Sequence, residues 1–220
     1  MVSERMDPFS DPRAVARYAE GAPRNVPGYY AMQRMTTLLL AERVPEAARV
    51  LVLGAGGGLE LKVFAEAHPN WAFDGVDPSA EMLKLAQRTL GPLASRATLH
   101  QGYIADAPIC PFDAATCLLT LHFLSVEERR HTAAEVHRRL KPGAPFVAAH
   151  FSIPQGDERD VWLSRFAAYA GLDQNQAAAI DSHLTILSPE QDEAILREAG
   201  FSNVSLFYAG FTFRGWVGHA

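Results

Sequence analysis

From Arg49 onward the apolar residues switch repeatedly between two rhythms. Short unbroken apolar runs, RVLVLG from Arg49 and WAFDGVD from Trp71, read as buried strands. Between and after them, GLELKVFAEAHP and SAEMLKLAQRTLG place apolar residues every three to four positions and read as helices, the second ended by Gly91 and Pro92. The rhythm continues through ATLHQG, FDAATCLLT, the helix VEERRHTAAEVHRRLKPG and PFVAAHFS, with Lys141, Pro142 and Gly143 as a helix stop. Strand and helix in alternation predict a parallel sheet covered by helices on both faces. The chain end differs. SPEQDEAILREAGF reads as a helix capped by Ser188 with Pro189 in its first turn. NVSLFYAGFTFRGWVGHA follows as two apolar strands joined at a single glycine, a link short enough to favour an antiparallel pair. Two pieces stand outside the alternation: a helical N-terminal segment, residues 1–44, and an insertion, residues 155–187. No internal repeat is evident.

Composition narrows the class. The 220 residues, 48% hydrophobic and 20% charged, suit one globular domain with a full core. A formal charge of -5 argues against a broad nucleic-acid footprint. The first residues, MVSERMDPFSDPR, hold no apolar signal core, and no run approaches the roughly 18 apolar residues of a membrane span, so a soluble, cytoplasmic protein is expected. Cys110 and Cys117 are too few for a disulfide framework and lack a CxxC partner for zinc, so no metal site is expected.

The break in RVLVLGAGGGLEL carries the chemistry. A strand entering a glycine-rich turn before a helix points backbone N–H groups at a ligand. A phosphate loop of the GxxxxGK type and a dinucleotide loop of the GxGxxG type both fail at Leu59, whereas Gly54, Gly56 and Gly58 fit GxGxG. With the strand order, the antiparallel end and Asp77 closing FDGVD 23 residues after Gly54, this resembles the class I S-adenosylmethionine (SAM) dependent methyltransferase family. The resemblance implies a doubly wound α/β fold with a seven-stranded, mostly parallel sheet and an antiparallel last strand. It implies SAM as cofactor and S-adenosylhomocysteine (SAH) as product, with the loop from Gly54 through Ala55 and Gly56 to Gly58 beneath the methionine and ribose. Asp77, followed by Pro78, then accepts the ribose hydroxyls. The chain departs from the family at Val52, where many relatives carry an acid, and at Gly102-Tyr103-Ile104, where many read Gly-Asp. Tyr103 or Asp106 is left for the adenine amino group, with Ile104 against the ring.

RNVPGYYAMQRMTTLLLAER, LTLHFLSVEER and REAGF are similar to one branch of that family, the carboxy-SAM synthases of tRNA wobble-uridine modification. The likeness implies that Tyr29 closes over the methionine end of the cofactor with Arg24 near it. The branch's carboxylate-binding arginine falls on Ala177, nothing between Phe166 and Leu196 is Lys or Arg, and an asparagine of the branch falls on Leu118.

Histidines titrate near neutrality and are the candidate bases. His150 ends a strand where the crevice of an open sheet lies, His122 follows the fourth strand, and His183 lies in the insertion. His131 and His137 are expected to be solvated, and Cys117 to fill the core. Trp162, Phe166 and Tyr169 fall at helical spacing and form a packing face for the sheet or for a second subunit. No Asn-Pro-Pro-Tyr signature of amino-group methylation follows the fourth strand. The expectation is a SAM-dependent methyltransferase for a small molecule, roofed by the N-terminal segment and the insertion, and able to form a homodimer. Its rivals are a carboxy-SAM synthase and a SAM-binding protein without turnover.

Overall fold

A computed structural model describes residue 15 and residues 21–220. Of the expected N-terminal segment, residues 1–14 and 16–20 lie outside the described residues. Residues 21–25 are helical, and α1 (Tyr29–Ala41) starts at Gly28, whose φ of 71° puts it in the left-handed region. In chain order follow β1 (Arg49–Leu53), α2 (Leu59–Ala67), β2 (Ala72–Asp77), α3 (Ala80–Leu90) and β3 (Ala97–Gln101). Then come β4 (Ala114–Leu118), α4 (Val126–Arg138) and β5 (Pro145–Phe151). The insertion forms α5 (Arg159–Ala170) and α6 (Gln174–His183), and α7 (Pro189–Glu198), β6 (Ser202–Gly210) and β7 (Phe213–His219) complete the chain.

The described strands form one seven-stranded sheet in the order β3-β2-β1-β4-β5-β7-β6. β7 runs antiparallel to both β5 and β6, and the remaining pairs are parallel. The strand order reverses between β1 and β4, which is where open α/β sheets bind ligands at the carboxyl ends of their strands. Alternate residues divide the core. Val50, Val52, Leu118, Val147 and Ala149 meet Met32 and Leu40 of α1 and Phe64 of α2. Leu51, Leu53, Cys117, Phe146 and Ala148 face Val136 of α4 and Ile195 of α7. The helices start where their caps dictate. Ser79 accepts the Met82 N–H, and Ser125 and Ser188 each close a capping box.

Two local expectations are corrected. The last two strands are joined by the two-residue turn Phe211-Thr212, with Phe211 at φ 61°, and Gly210 belongs to β6. His137 is half-buried rather than solvated, because its ring packs edge-on 5.0 Å from Phe201. His131 is exposed and Cys117 fully buried. The insertion's aromatic face lies on this chain's own sheet. Phe166 meets Phe151 at 4.9 Å and Phe213 at 5.9 Å, while Trp162 and Tyr169 flank Phe211 at 5.7 and 5.6 Å. No described helix is long and apolar enough to cross a membrane.

Candidate functional site

The loop between β1 and α2 is shaped by its glycines. Gly54, Gly56 and Gly58 have φ of 72°, 48° and 75°, values that residues with a Cβ rarely adopt. A Cβ on Gly54 would lie 1.9 Å from Thr120 Oγ1, and one on Gly58 would lie 2.8 Å from the Ala86 backbone. The amides of Gly54 and Ala55 both donate to the Val76 carbonyl, at 2.8 and 3.0 Å, which ties the loop to the end of β2. There Asp77 is buried, and its two carboxylate oxygens accept the Gly56 and Ser79 N–H groups, each at 2.9 Å. A carboxylate offers about four lone-pair sites, so oxygens that hold a loop are still of the kind that accepts hydroxyl donors. Ala55 is buried beneath the loop and Pro78 is exposed beside the acid.

At the end of β3, Asp106 Oδ2 accepts the Tyr103 N–H at 2.9 Å and closes a one-turn helix over residues 104–106. The turn occupies Asp106 with its own backbone. Both candidates for an adenine contact, Tyr103 and Asp106, are exposed, while Ile104 is buried. Leu118 ends β4 within the core, and Leu119 after it takes a φ of 58°.

The N-terminal segment is fastened to the hairpin at the same end of the sheet. The Tyr208 hydroxyl of β6 donates to the Pro27 carbonyl. Tyr29 is buried and meets Tyr30 edge-on at 5.3 Å, whereas Arg24 is exposed. Ala177 lies within α6, and its side chain is outside what the structure describes.

The candidate bases have surroundings of a different kind. His150 is 1% exposed, both ring nitrogens are sealed from solvent, and Nε2 lies 3.1 Å from Asp192 Oδ1 without hydrogen-bond alignment. Asp192 also receives a hydrogen bond from Arg129, which donates to the Thr185 carbonyl as well. Burial alone would raise the Asp192 carboxyl, but the charges of His150 and Arg129 hold it below its ordinary value. His122 is buried, and its Nδ1 accepts the Phe151 N–H at 3.2 Å. Burial pushes its pKa well down, as do His150 and Arg129. A neutral imidazole that accepts at Nδ1 carries its proton on Nε2 and therefore offers a donor there. These surroundings set His150 against a buried carboxylate and suit His122 to donating a hydrogen bond rather than to taking a proton. His183 is exposed at the end of α6, with Nδ1 2.6 Å from the Ala179 carbonyl.

Sequence reasoning missed two groups. Arg129 looks solvated in the charged helix VEERR, yet it is 1% exposed. Glu60 stands four residues before Phe64, on the face that helical spacing assigns to the core, and this was its only signal. It is buried and accepts the Thr116 hydroxyl at 3.0 Å, beside Val52, the register partner of Thr116. Burial pushes the Glu60 carboxyl up to about 8, against a smaller opposing effect of the Thr116 hydrogen bond. A carboxyl raised in the folded state contributes stability in full below its unfolded pKa and loses it as pH rises through the folded value. Glu60→Gln should therefore flatten the fall of stability from about pH 5 to 8, and at about pH 8 exceed the parent by on the order of 2–4 kcal/mol. Urea unfolding across this range checks it, and identical pH profiles for the two proteins would contradict it.

Residues 50–143 match the model of a methyltransferase domain. A carboxy-S-adenosyl-L-methionine synthase of Chromohalobacter salexigens is 27% identical, over 97% of this chain and 84% of that protein. Among solved structures, PigF with SAH superposes at a TM-score of 0.69 with 18% identity, over 96% of this chain and 61% of that one. Human N-acetylserotonin methyltransferase in complex with SAM superposes at 0.59 with 14% identity, over 93% and 58%. This chain thus spans about three fifths of each of those structures, and at such identities the likeness is one of fold. The domain match, the relatives that align over most of this chain and the sheet with its glycine loop and acid agree, and residues 50–143 form the core of a SAM-dependent methyltransferase domain.

Proposed function

We propose that the protein transfers the methyl group of SAM to a small-molecule acceptor. The observation that carries this reading is the roof over the carboxyl end of β5. Phe166 of the insertion sits against Phe151 and Phe213, and the N-terminal segment is tied to the hairpin by Tyr208 and Pro27. A roof built from the chain itself suits a small acceptor better than a nucleic acid or protein surface, and a net charge of -5 agrees.

The residues present fit the cofactor. The glycines let the loop turn with positive φ and pack closely on Thr120 and Ala86, and Asp77 sits under the loop as an acceptor for hydroxyls. SAM, when bound, supplies a methyl group on a sulfonium that an in-line nucleophile displaces. The chain's part is to hold the two reactants in contact and exclude water, which can account for much of the acceleration. Asp77 and the loop orient the ribose, Tyr103 offers a ring near the base, and His122 offers an Nε2 hydrogen-bond donor after β4. No buried histidine is needed as a base if the acceptor arrives ionised.

A second reading, carboxy-SAM synthesis, is favoured by relatives of that name that align over most of this chain. Against it stands Ala177, where the resemblance calls for a guanidinium. SAM labelled in its methyl group, incubated with the protein and a cell extract, should deliver the label to the small-molecule fraction. Label in RNA or protein would overturn the proposal.

A further inference from the structure

We infer that Arg214 reads the charge of the acceptor, and that the acceptor is a planar aromatic molecule carrying a carboxylate. The inference rests on the small-molecule reading above and names the chemistry of that site. Arg214 is the second residue of β7 and stands opposite His150 in register, at the carboxyl end of β5 where an open sheet has its crevice. Its Nη1 donates to the carbonyls of Phe211 at 2.6 Å and Phe213 at 2.9 Å, so the hairpin's own backbone holds the guanidinium in place.

The other buried or half-buried arginines are committed. Arg129 is paired with Asp192 and Arg139 with Glu135, Arg96 gives both terminal nitrogens to three carbonyls, and Arg159 donates to the Gln155 side chain. Arg214 is half-buried, has no carboxylate within ion-pair distance among the described residues, and commits one nitrogen to neutral acceptors. Partial loss of water lowers its pKa, and Tyr208 lies close enough to counter this slightly. A desolvated guanidinium with Nε and Nη2 uncommitted presents the fork that matches a carboxylate through two parallel hydrogen bonds. Beside it, Thr212 of the adjoining turn is fully buried, and its hydroxyl has no hydrogen-bond partner among the described residues.

The aromatic part of the ligand follows from what flanks the turn. Trp162 and Tyr169 of α5 stand on either side of Phe211, whose carbonyl Arg214 holds, and Tyr169 remains 49% exposed. Arg165 stacks over Trp162 at 4.9 Å and adds a second positive charge at this edge. Exposed ring surface beside a fixed cation suits a flat apolar body with an anionic end.

Benzoate and benzamide share a shape and differ in charge, so they serve as probes. With SAH present, tryptophan fluorescence should show the parent binding benzoate about tenfold or more tightly than benzamide. Arg214→Gln should erase that preference and leave SAH affinity unchanged. Arg214→Lys, which keeps the charge but loses the fork, should retain part of it and covers the case of a misfolded glutamine variant. A parent without preference for the anion, or a glutamine variant that keeps it, overturns the inference. If SAH fails to bind while an Arg214-dependent preference persists, the methyl-transfer reading falls and the anion subsite stands.

Discussion

Replacing Asp192 with alanine is expected to lower the unfolding free energy by about 3–5 kcal/mol. The carboxylate is fully buried, and its partner Arg129 is exposed by only 1%, so the substitution leaves a charged guanidinium without compensation inside the protein. The loss extends beyond one pair. Arg129 lies on α4, Asp192 on α7, His150 on β5, and Thr185, whose carbonyl Arg129 also binds, follows α6. One network thus fastens the end of the insertion to the sheet. Asp192 is held below its usual pKa, so its contribution is present above the unfolded value and is lost as pH falls through the folded one. Removing both charges with Asp192→Ala and Arg129→Met should restore most of the stability, because a buried pair costs desolvation that apolar side chains do not. Urea unfolding measures all three proteins, and a single-variant loss below about 1 kcal/mol would contradict the account.

Much of the sheet was legible because its strands are buried on both faces and its helices on one. RVLVL and FDAATCL can only be interior strands, and capping serines mark where α3, α4 and α7 begin. The glycine loop was legible for a related reason. A cluster of φ-positive positions after a buried strand leaves few residue choices, and Asp77 was marked by ending the next strand. The turn at Phe211 was not legible, because phenylalanine rarely takes a φ of 61° and the rings it packs against, Trp162 and Tyr169, are distant in sequence. The surroundings of the histidines were not legible for the same reason. His150 lies at the expected end of β5, but its surroundings come from α7 and β7, with Asp192 at 3.1 Å and the Trp216 ring at 5.3 Å. Position along a strand does not say which helix will cover it. Arg129 and Glu60 were hidden because charged residues in helices default to solvent, and only the docking of α7 and the packing of α2 on β4 bury them.

The assignment of the cofactor site rests on Asp77, and its removal should have the largest functional effect. The carboxylate braces the loop through Gly56 and the start of α3 through Ser79, and on the proposed function it is the acceptor for the ribose hydroxyls of the cofactor. Hydrogen bonds to a charged acceptor contribute about 1.5–3 kcal/mol each, so loss of two, with a looser loop, predicts a fall in SAM affinity of at least about a hundredfold for Asp77→Ala. Asp77→Asn keeps one acceptor oxygen and the side-chain volume, and should fall between. Calorimetric titration of SAM into the parent and Asp77→Ala, with thermal melting to confirm that both are folded, is the direct test. The account predicts saturable binding to the parent and a loss of at least about a hundredfold in the variant; equal affinities, or a folded parent that does not bind SAM, would contradict it.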